Sequence, residues 1–428
     1  GKDVIFSKKY AVSARLTLKT NDQTLQFING SSLMCNVPTV TLLYGSGVTG
    51  VKIFNARLAS SSGSTNTYNG SCVWLDTCSY CCIEDCVFSN YKASAVFLNK
   101  SSYCNVVRCT FLGSPGAAGD VTMWRSSVGH LISDNNMVSG SDTAIVLQTI
   151  DDGDHSNANR IVNNTIENCT RYGIVVYNNL ETKTGILTNT LVQGNTIKNI
   201  YGSVLNTTTQ TYTYGSGIYI LSAEGIKVIG NTIDLTNQNT NSTTLSPACI
   251  GVNATSEAII SNNIISRGAY YGVMISAALQ QGAGTNANSE SFKPNSTVVV
   301  ANNIIRACSR SGLYIFNHHN VKCVGNITSS NTQNGVLTGT DNALYPTLKN
   351  IEILSHTSRE NAMAGLSIAG CDAPTIDVSE CEDNSGDGVY CSSINAVIKV
   401  ESVIRNNRGI VITASGCSIL GGRVTGNT

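Results

Sequence analysis

An all-β solenoid is the fold class this 428-residue sequence predicts. Three observations predict it: a short recurring motif, a second alternating motif interleaved with it, and a composition poor in helix builders. The first motif reads "RIVNNTIEN" from Arg160, "LVQGNTIKN" from Leu191, "IKVIGNTID" from Ile226, "AIISNNIIS" from Ala258, "VVVANNIIR" from Val298 and "VKCVGNITS" from Val321. Aligned on Asn164, Asn195, Asn231, Asn262, Asn302 and Asn326, its copies lie roughly 24 to 40 residues apart, the spacing of solenoid repeats. Weaker copies, "VKIFNARLA", "CCIEDCVFS", "HLISDNNMV" and "CSILGGRVTGN", extend the series in both directions. Stacked asparagines at such a turn are able to hydrogen-bond along the solenoid axis.

The second motif is "TAIVLQ", "YGIVVY", "SGIYIL", "YGVMIS", "SGLYIF", "AGLSIA", "DGVYCS" and "RGIVIT". Its alternation sends Ile174 and Val176 to one side of a strand and Val175 and Tyr177 to the other. Each repeat thus holds two or three short strands between Asn/Gly turns, too little to bury its own apolar face. Stacking repeats as parallel strands buries a continuous interior and pairs every edge except at the ends. The expected architecture is a parallel β-helix of roughly a dozen rungs, read as one domain over 1–428. First rungs are placed at about 1–60, central binding rungs at about 115–320 and distal rungs at about 321–428.

Composition agrees, with Gly 39, Pro 6 and only 13% charged residues. Lys+Arg and Asp+Glu are both 27, and no basic block points to nucleic acid or an anionic membrane. No apolar run of about 18 residues is present, so membrane insertion is not expected. A neutral or glycan-like partner fits. The chain begins without Met and stops inside the repeat, as a piece of a longer protein would. Of its 16 cysteines, the group in "SCVWLDTCSYCCIEDC" has one CxxC, Cys78 and Cys81, with no His nearby. Buried thiols stacked rung on rung are expected rather than zinc.

With the rungs in place, "GVTGVKIFNARLAS" and the serial "GNTI" and "SNNIIS" segments resemble the right-handed parallel β-helices of the pectate-lyase-like superfamily. The opening "GKDVIFSKKYAVSARLTLKTNDQTLQFING" is similar to the first rungs of bacteriophage tailspike depolymerases. That resemblance implies a homotrimer on the virion tail that binds and cleaves a bacterial surface polysaccharide, capsule or O-antigen, as a hydrolase or a lyase. It implies no cofactor, and attachment to other tail proteins through segments outside this sequence. Secreted pectinases and alginate epimerases share the fold, so a secreted enzyme is the alternative.

For the chemistry, Ile145, Ile174, Ile218 and Ile250 form one inward column. Six positions later come Asp151 and Glu224, and seven later Asp152, Glu181 and Glu257. Glycoside hydrolysis commonly needs one carboxylic acid to protonate the leaving oxygen and a second carboxylate to attack or activate water. The catalytic candidates are Asp151, Asp152, Glu181 and Glu224, with Glu257 a bystander. The long polar insertions "DDGDHSNAN", "NNLETKTG", "YGSVLNTTTQTYTYG", "LTNQNTNSTTLSP" and "SAALQQGAGTNANSESFKPNST" follow or precede the same column, as on the binding face of a solenoid. Candidate sugar-binding residues are Trp124, Arg125, Asp154, His155, Tyr177 and Tyr219, with Tyr212, Tyr214 and Tyr314 as further outward aromatics.

Elimination would instead need a base and a cation facing a uronate; Arg125, Arg171, Lys183, His155 and Tyr177 could supply them. His318 and His319 read as exposed turn residues. "DDGDHSN" places Asp152, Asp154 and Ser156 like the start of a calcium loop but lacks the closing bidentate Glu; a structural calcium bridging the loop is the option this leaves. A noncatalytic β-helical adhesin or fibre shaft is the reading in which none of these carboxylates reacts.

Overall fold

Alternation builds the fold as the sequence suggests. In the strand Thr143–Thr149, Ile145 and Leu147 are fully buried, and they pair in parallel register with the equally buried Ile174 and Val176 of Tyr172–Asn178. Burial of each such side chain contributes about 1.5–3 kcal/mol. The structure is a computed structural model, and it describes residues 3–37, 40–60, 70–113, 119–138, 141–151, 153–178, 185–201, 204–206, 211–212, 215–236, 248–268, 270–276, 297–340 and 347–427, with the backbone alone for 204–206 and 211–212.

The chain falls into two compact units, Gly1–Ser203 and Val204–Thr428. In the first, one strand of every rung joins a parallel sheet: Leu16–Leu18, Leu43–Ser46, Val73–Asp76, Ser94–Asn99, Gly119–Trp124, Thr143–Thr149 and Tyr172–Asn178. Left-handed residues, among them Thr77, Lys100 and Arg125, then turn the chain. Two short strands of a second parallel sheet follow, for example Leu131–Ser133 and Asn136–Val138. The interior is lined by columns such as Ile53, Ile83, Val106, Ile132, Ile161 and Val192.

The second unit repeats the plan with Ser216–Leu221, Ala248–Asn253, Tyr271–Ser276, Leu313–Phe316, Val336–Gly339, Leu366–Ile368, Asp387–Cys391 and Arg408–Ile412. Ile218 pairs with Ile250, completing the expected inward column within each unit. Fifteen such strands occur among the described residues, one per rung, against the dozen expected. No helix occurs among them, and every strand pairing described is parallel except that of Val204–Asn206 with Thr211–Tyr212. Parallel strands joined in this way wind with a right-handed crossover.

The asparagine turn is resolved in detail, and it corrects the alignment read from sequence. In the first unit the Asn135 side-chain amide donates to Asn164 Oδ1 at 2.9 Å, and that of Asn164 donates to Asn195 Oδ1 at 2.9 Å. Each amide also donates to a backbone carbonyl, and each Oδ1 accepts a backbone N–H from the neighbouring rung. In the second unit the ladder runs Asn231, Asn263, Asn303 and Asn326. Asn262 and Asn302 are therefore one position out of register: they adopt φ of 57° and 53° and make the turn itself, a role Gly fills at 194, 230 and 325. Glycine accepts that backbone most cheaply, with asparagine and aspartate next. A further ladder, Asn331, Asn361, Asn384, Asn406 and Asn427, occupies the next corner of the distal rungs.

All sixteen cysteines are free thiols, buried except for the half-buried Cys82 and Cys417. Cys86 and Cys109 precede paired strands, so their thiols stack in the interior as expected. Burial pushes thiols such as Cys308 and Cys323 up, to about 12 in each.

Candidate active site

At the end of Gly119–Trp124 the chain must leave the sheet, and Arg125 does so with φ 62°. That turn throws the guanidinium back over the Trp124 indole, 4.8 Å from the ring centroid. One rung on, the segment after Thr143–Thr149 brings Asp151 beside it, with carboxylate and Arg125 Nε 3.1 Å apart. The Asp151 side chain is 47% exposed and that of Arg125 30%. The result is a solvent-reachable carboxylate, oriented by a cation, at the edge of an aromatic face.

Asp154 holds this loop. One carboxylate oxygen accepts the N–H groups of Ile150 and Asp151 at 3.2 and 2.9 Å, and the other accepts the Ser126 hydroxyl at 3.1 Å. Only 4% of Asp154 is exposed, so its oxygens face donors of its own loop and of the preceding rung. The backbone N–H of His155 donates to Ser126 Oγ, and His155–Asn157 pairs in parallel with Ile186–Thr188. The His155 side chain is exposed. Tyr177 stands in the outward column formed by Asp76, Asn99, Trp124 and Gln148. Asp152, Glu181, Lys183 and Tyr214 lie outside the described residues, as do most of the remaining long insertions, and the side chain of Tyr212 is likewise outside.

Tyr219 and Glu224 belong to the second unit. The ring of Tyr219 lies over Gly251, where a Cβ would meet it at 3.2 Å, and its hydroxyl accepts from Asn253 Nδ2 at 3.0 Å. Glu224, half-buried, pairs with Ser256 in the turn that ends the strand. In the first unit the residue in that kind of turn is Asn157, paired with Val128. Counting positions from the inward column equated Asp151 with Glu224, but the loop at 150–154 displaces the turn, so the two occupy different places in their rungs. His318 departs from the sequence reading: it is 1% exposed, reaches the His319 and Thr255 carbonyls at 2.6 and 3.4 Å, and its pKa is lowered by burial.

Sequence reasoning missed three neighbours of Trp124. Asp76 sits in the same outward column, its carboxylate accepting from Asn99 Nδ2 at 2.6 Å. Trp74 and Phe97 carry the aromatic surface further, with Phe97 5.4 Å from Trp124. Their signal was available, since "VWLD" and "AVFLN" alternate as "VTMW" does. Asp120, on the same strand as Trp124, is different in kind. It is fully buried, accepts from Tyr91 and from Ser141 at 2.7 Å, and desolvation pushes it up to about 7.

The model of the right-handed β-helix region matches residues 41–233 and 202–351. The chain belongs to that family. Among solved β-helices it is similar to the tailspike protein of E. coli bacteriophage HK620, at 12% identity and TM-score 0.53 over 94% of this chain and 73% of that one. It also resembles a thermostable α-1,3-glucanase catalytic unit from Streptomyces thermodiastaticus, at 14% identity and TM-score 0.49 over 99% and 64% of the two chains. A hyperthermoactive exopolygalacturonase from Thermotoga maritima follows at 11%, TM-score 0.45, covering 79% and 83%. Among curated proteins none matches. At these identities the likeness is one of fold, and β-helix chemistry has to be argued from the site.

Proposed function

We propose that this β-helix is a phage tailspike that binds and depolymerises a bacterial surface polysaccharide, capsule or O-antigen, by glycoside hydrolysis. The observation that carries the reading is the group Trp124, Arg125 and Asp151: an indole for a sugar face, and an exposed carboxylate oriented beside it. Asp151 acts with a second carboxylate, Asp152 or Glu181, one protonating the leaving oxygen and the other attacking or activating water, and Glu224 is the candidate of the second unit. Rung spacing of about 4.8 Å makes neighbouring and alternate rungs suit the short and long carboxylate separations of the two stereochemical outcomes.

Self-association into a homotrimer is part of the proposal. Ile264, Ile304 and Ile327 are register partners on successive rungs, yet 44%, 39% and 39% exposed. An aligned apolar ridge of this kind suits burial against further copies, and sedimentation equilibrium reads the stoichiometry directly. The virion tail, with other tail proteins attached, is the proposed setting, and a secreted enzyme is its alternative.

The test is polysaccharide shortening by Asp151→Asn, Asp152→Asn, Glu181→Gln and Glu224→Gln. If all four shorten a purified host glycan as the unmodified protein does, the site is wrong. If the unmodified protein shortens none, the adhesin reading replaces the enzyme. Arg125, a cation beside a carboxylate, is the feature that favours a lyase as the second reading; ultraviolet absorbance from an unsaturated uronate in the products would establish it, and a new reducing end without that absorbance would establish hydrolysis.

A further inference from the structure

Four aromatic side chains on successive rungs of the first unit form one continuous outward strip. Tyr44 pairs in register with Trp74, and Trp74 with Phe97. Their rings meet edge to face, Tyr44 to Trp74 and Trp74 to Phe97 both at 5.4 Å, and Phe97 reaches Trp124 at 5.4 Å. Phe97 is fully buried beneath its neighbours, whereas Tyr44, Trp74 and Trp124 remain half-buried, so three rings show at the surface. Interior packing does not require them, because the inward positions of these strands are filled by Leu43, Val73, Leu75, Val96, Leu98, Val121 and Met123.

A cation caps each end. The Arg15 guanidinium lies 4.2 Å from the Tyr44 ring centroid, and that of Arg125 lies 4.8 Å from Trp124. Arg15 is exposed and has no carboxylate partner among the described residues. Along one edge of the strip run Asp76 and Asn99, and two buried polar atoms there lack hydrogen-bond partners, the Trp74 indole N–H and Asn99 Oδ1.

The geometry points to an acidic glycan lying on this strip, parallel to the axis of the first unit, its sugars on the exposed ring surfaces and a carboxylate on Arg15. Rungs advance by about 4.8 Å, close to the advance of one pyranose along a glycan, so the surface rings of Tyr44, Trp74 and Trp124 are spaced to meet sugars of one chain. Carboxylate fits guanidinium in both charge and shape, and Arg15 is free to receive one. The inference rests on the polysaccharide reading above and deepens it by naming the substrate class: a glycan bearing uronate or another carboxylate.

The protein supplies its own reporter, because it has only two tryptophans and both are on the strip. An array of acidic and neutral bacterial capsular and O-antigen oligosaccharides identifies a binder, which is then titrated into the Trp124→Phe protein, where Trp74 is the one indole left. The expected result is that binders carry carboxylates, that Trp74 emission shifts on binding, and that Arg15→Gln weakens affinity about fivefold. Reduction of the glycan carboxyls to alcohols should weaken it by about tenfold or more. Equal affinity for the reduced glycan overturns the inference. So does a glycan that is bound and shortened while Trp74 emission and the Arg15→Gln affinity stay unchanged; that outcome leaves the polysaccharide reading standing. An array on which nothing is bound or shortened overturns both.

Discussion

Two strand-end corners, one in each unit, make a useful contrast. In the first unit the corner is charged and open, with Asp151 on Arg125 and Arg125 on Trp124. In the second it is closed: Tyr219 is 8% exposed over Gly251, Asn253 is fully buried against its hydroxyl, and burial lowers the pKa of His318. The same rung plan can therefore end in a site or in a seal. What differs is whether the residues after the strand project a loop, as at Asp151, or close at once into a turn, as at Glu224.

The contrast breaks most sharply on activity. Asp151→Asn should slow depolymerisation by about 10²–10⁴-fold with an unchanged unfolding midpoint, because the group is exposed; an unaltered rate would make the open corner a binding feature only. Next in size is Asn164→Ala. It strips a buried ladder of donors and acceptors and should cost about 3 kcal/mol in urea unfolding, whereas Asn163→Gly, at the turn position with φ 56°, should stay near neutral.

Acid should divide the units. Burial lowers His356 to about 3 in the second unit, so the unfolded chain takes up a proton below about 6.5 that the folded one refuses, and that unit loses about 3 kcal/mol as pH falls from 6.5 to 4. In the first unit His130, lowered to about 4, acts in the same direction. Asp120, raised to about 7, acts oppositely, since the folded chain binds its proton before the unfolded one does, and the two largely cancel. Hydrogen exchange by peptide at pH 7 and pH 4.5 should show protection falling mainly within Val204–Thr428. The smallest effect is expected from Tyr219→Phe, which removes one buried acceptor and should cost about 1 kcal/mol in thermal unfolding without altering cleavage.

Legibility followed the same division. The strands and the Ile145, Ile174, Ile218 and Ile250 column were readable because alternation is a local property of sequence. The ladder was misread at Asn262 and Asn302 because two adjacent asparagines look identical until backbone φ separates the turn from the rung. His318 looked exposed because its Thr255 contact spans 63 positions, which no period announces. Trp124, Arg125 and Asp151 were legible as candidates, but their contact depends on where a loop folds back, and Asp76 was passed over because its strand lies two rungs earlier.

The amide ladder also bears on how such a chain finds its register. Each new rung has to be copied onto the one before it, and a slip of one residue would turn its apolar set outward. At rungs where glycine makes the turn, the same slip would bring Gly194 or Gly230 to the place of Asn195 or Asn231, and the Asn164 amide and backbone N–H, for instance, would lose their acceptor. The ladder thus works as a register key: a rung packed out of step loses its amide bonds as well as its apolar burial.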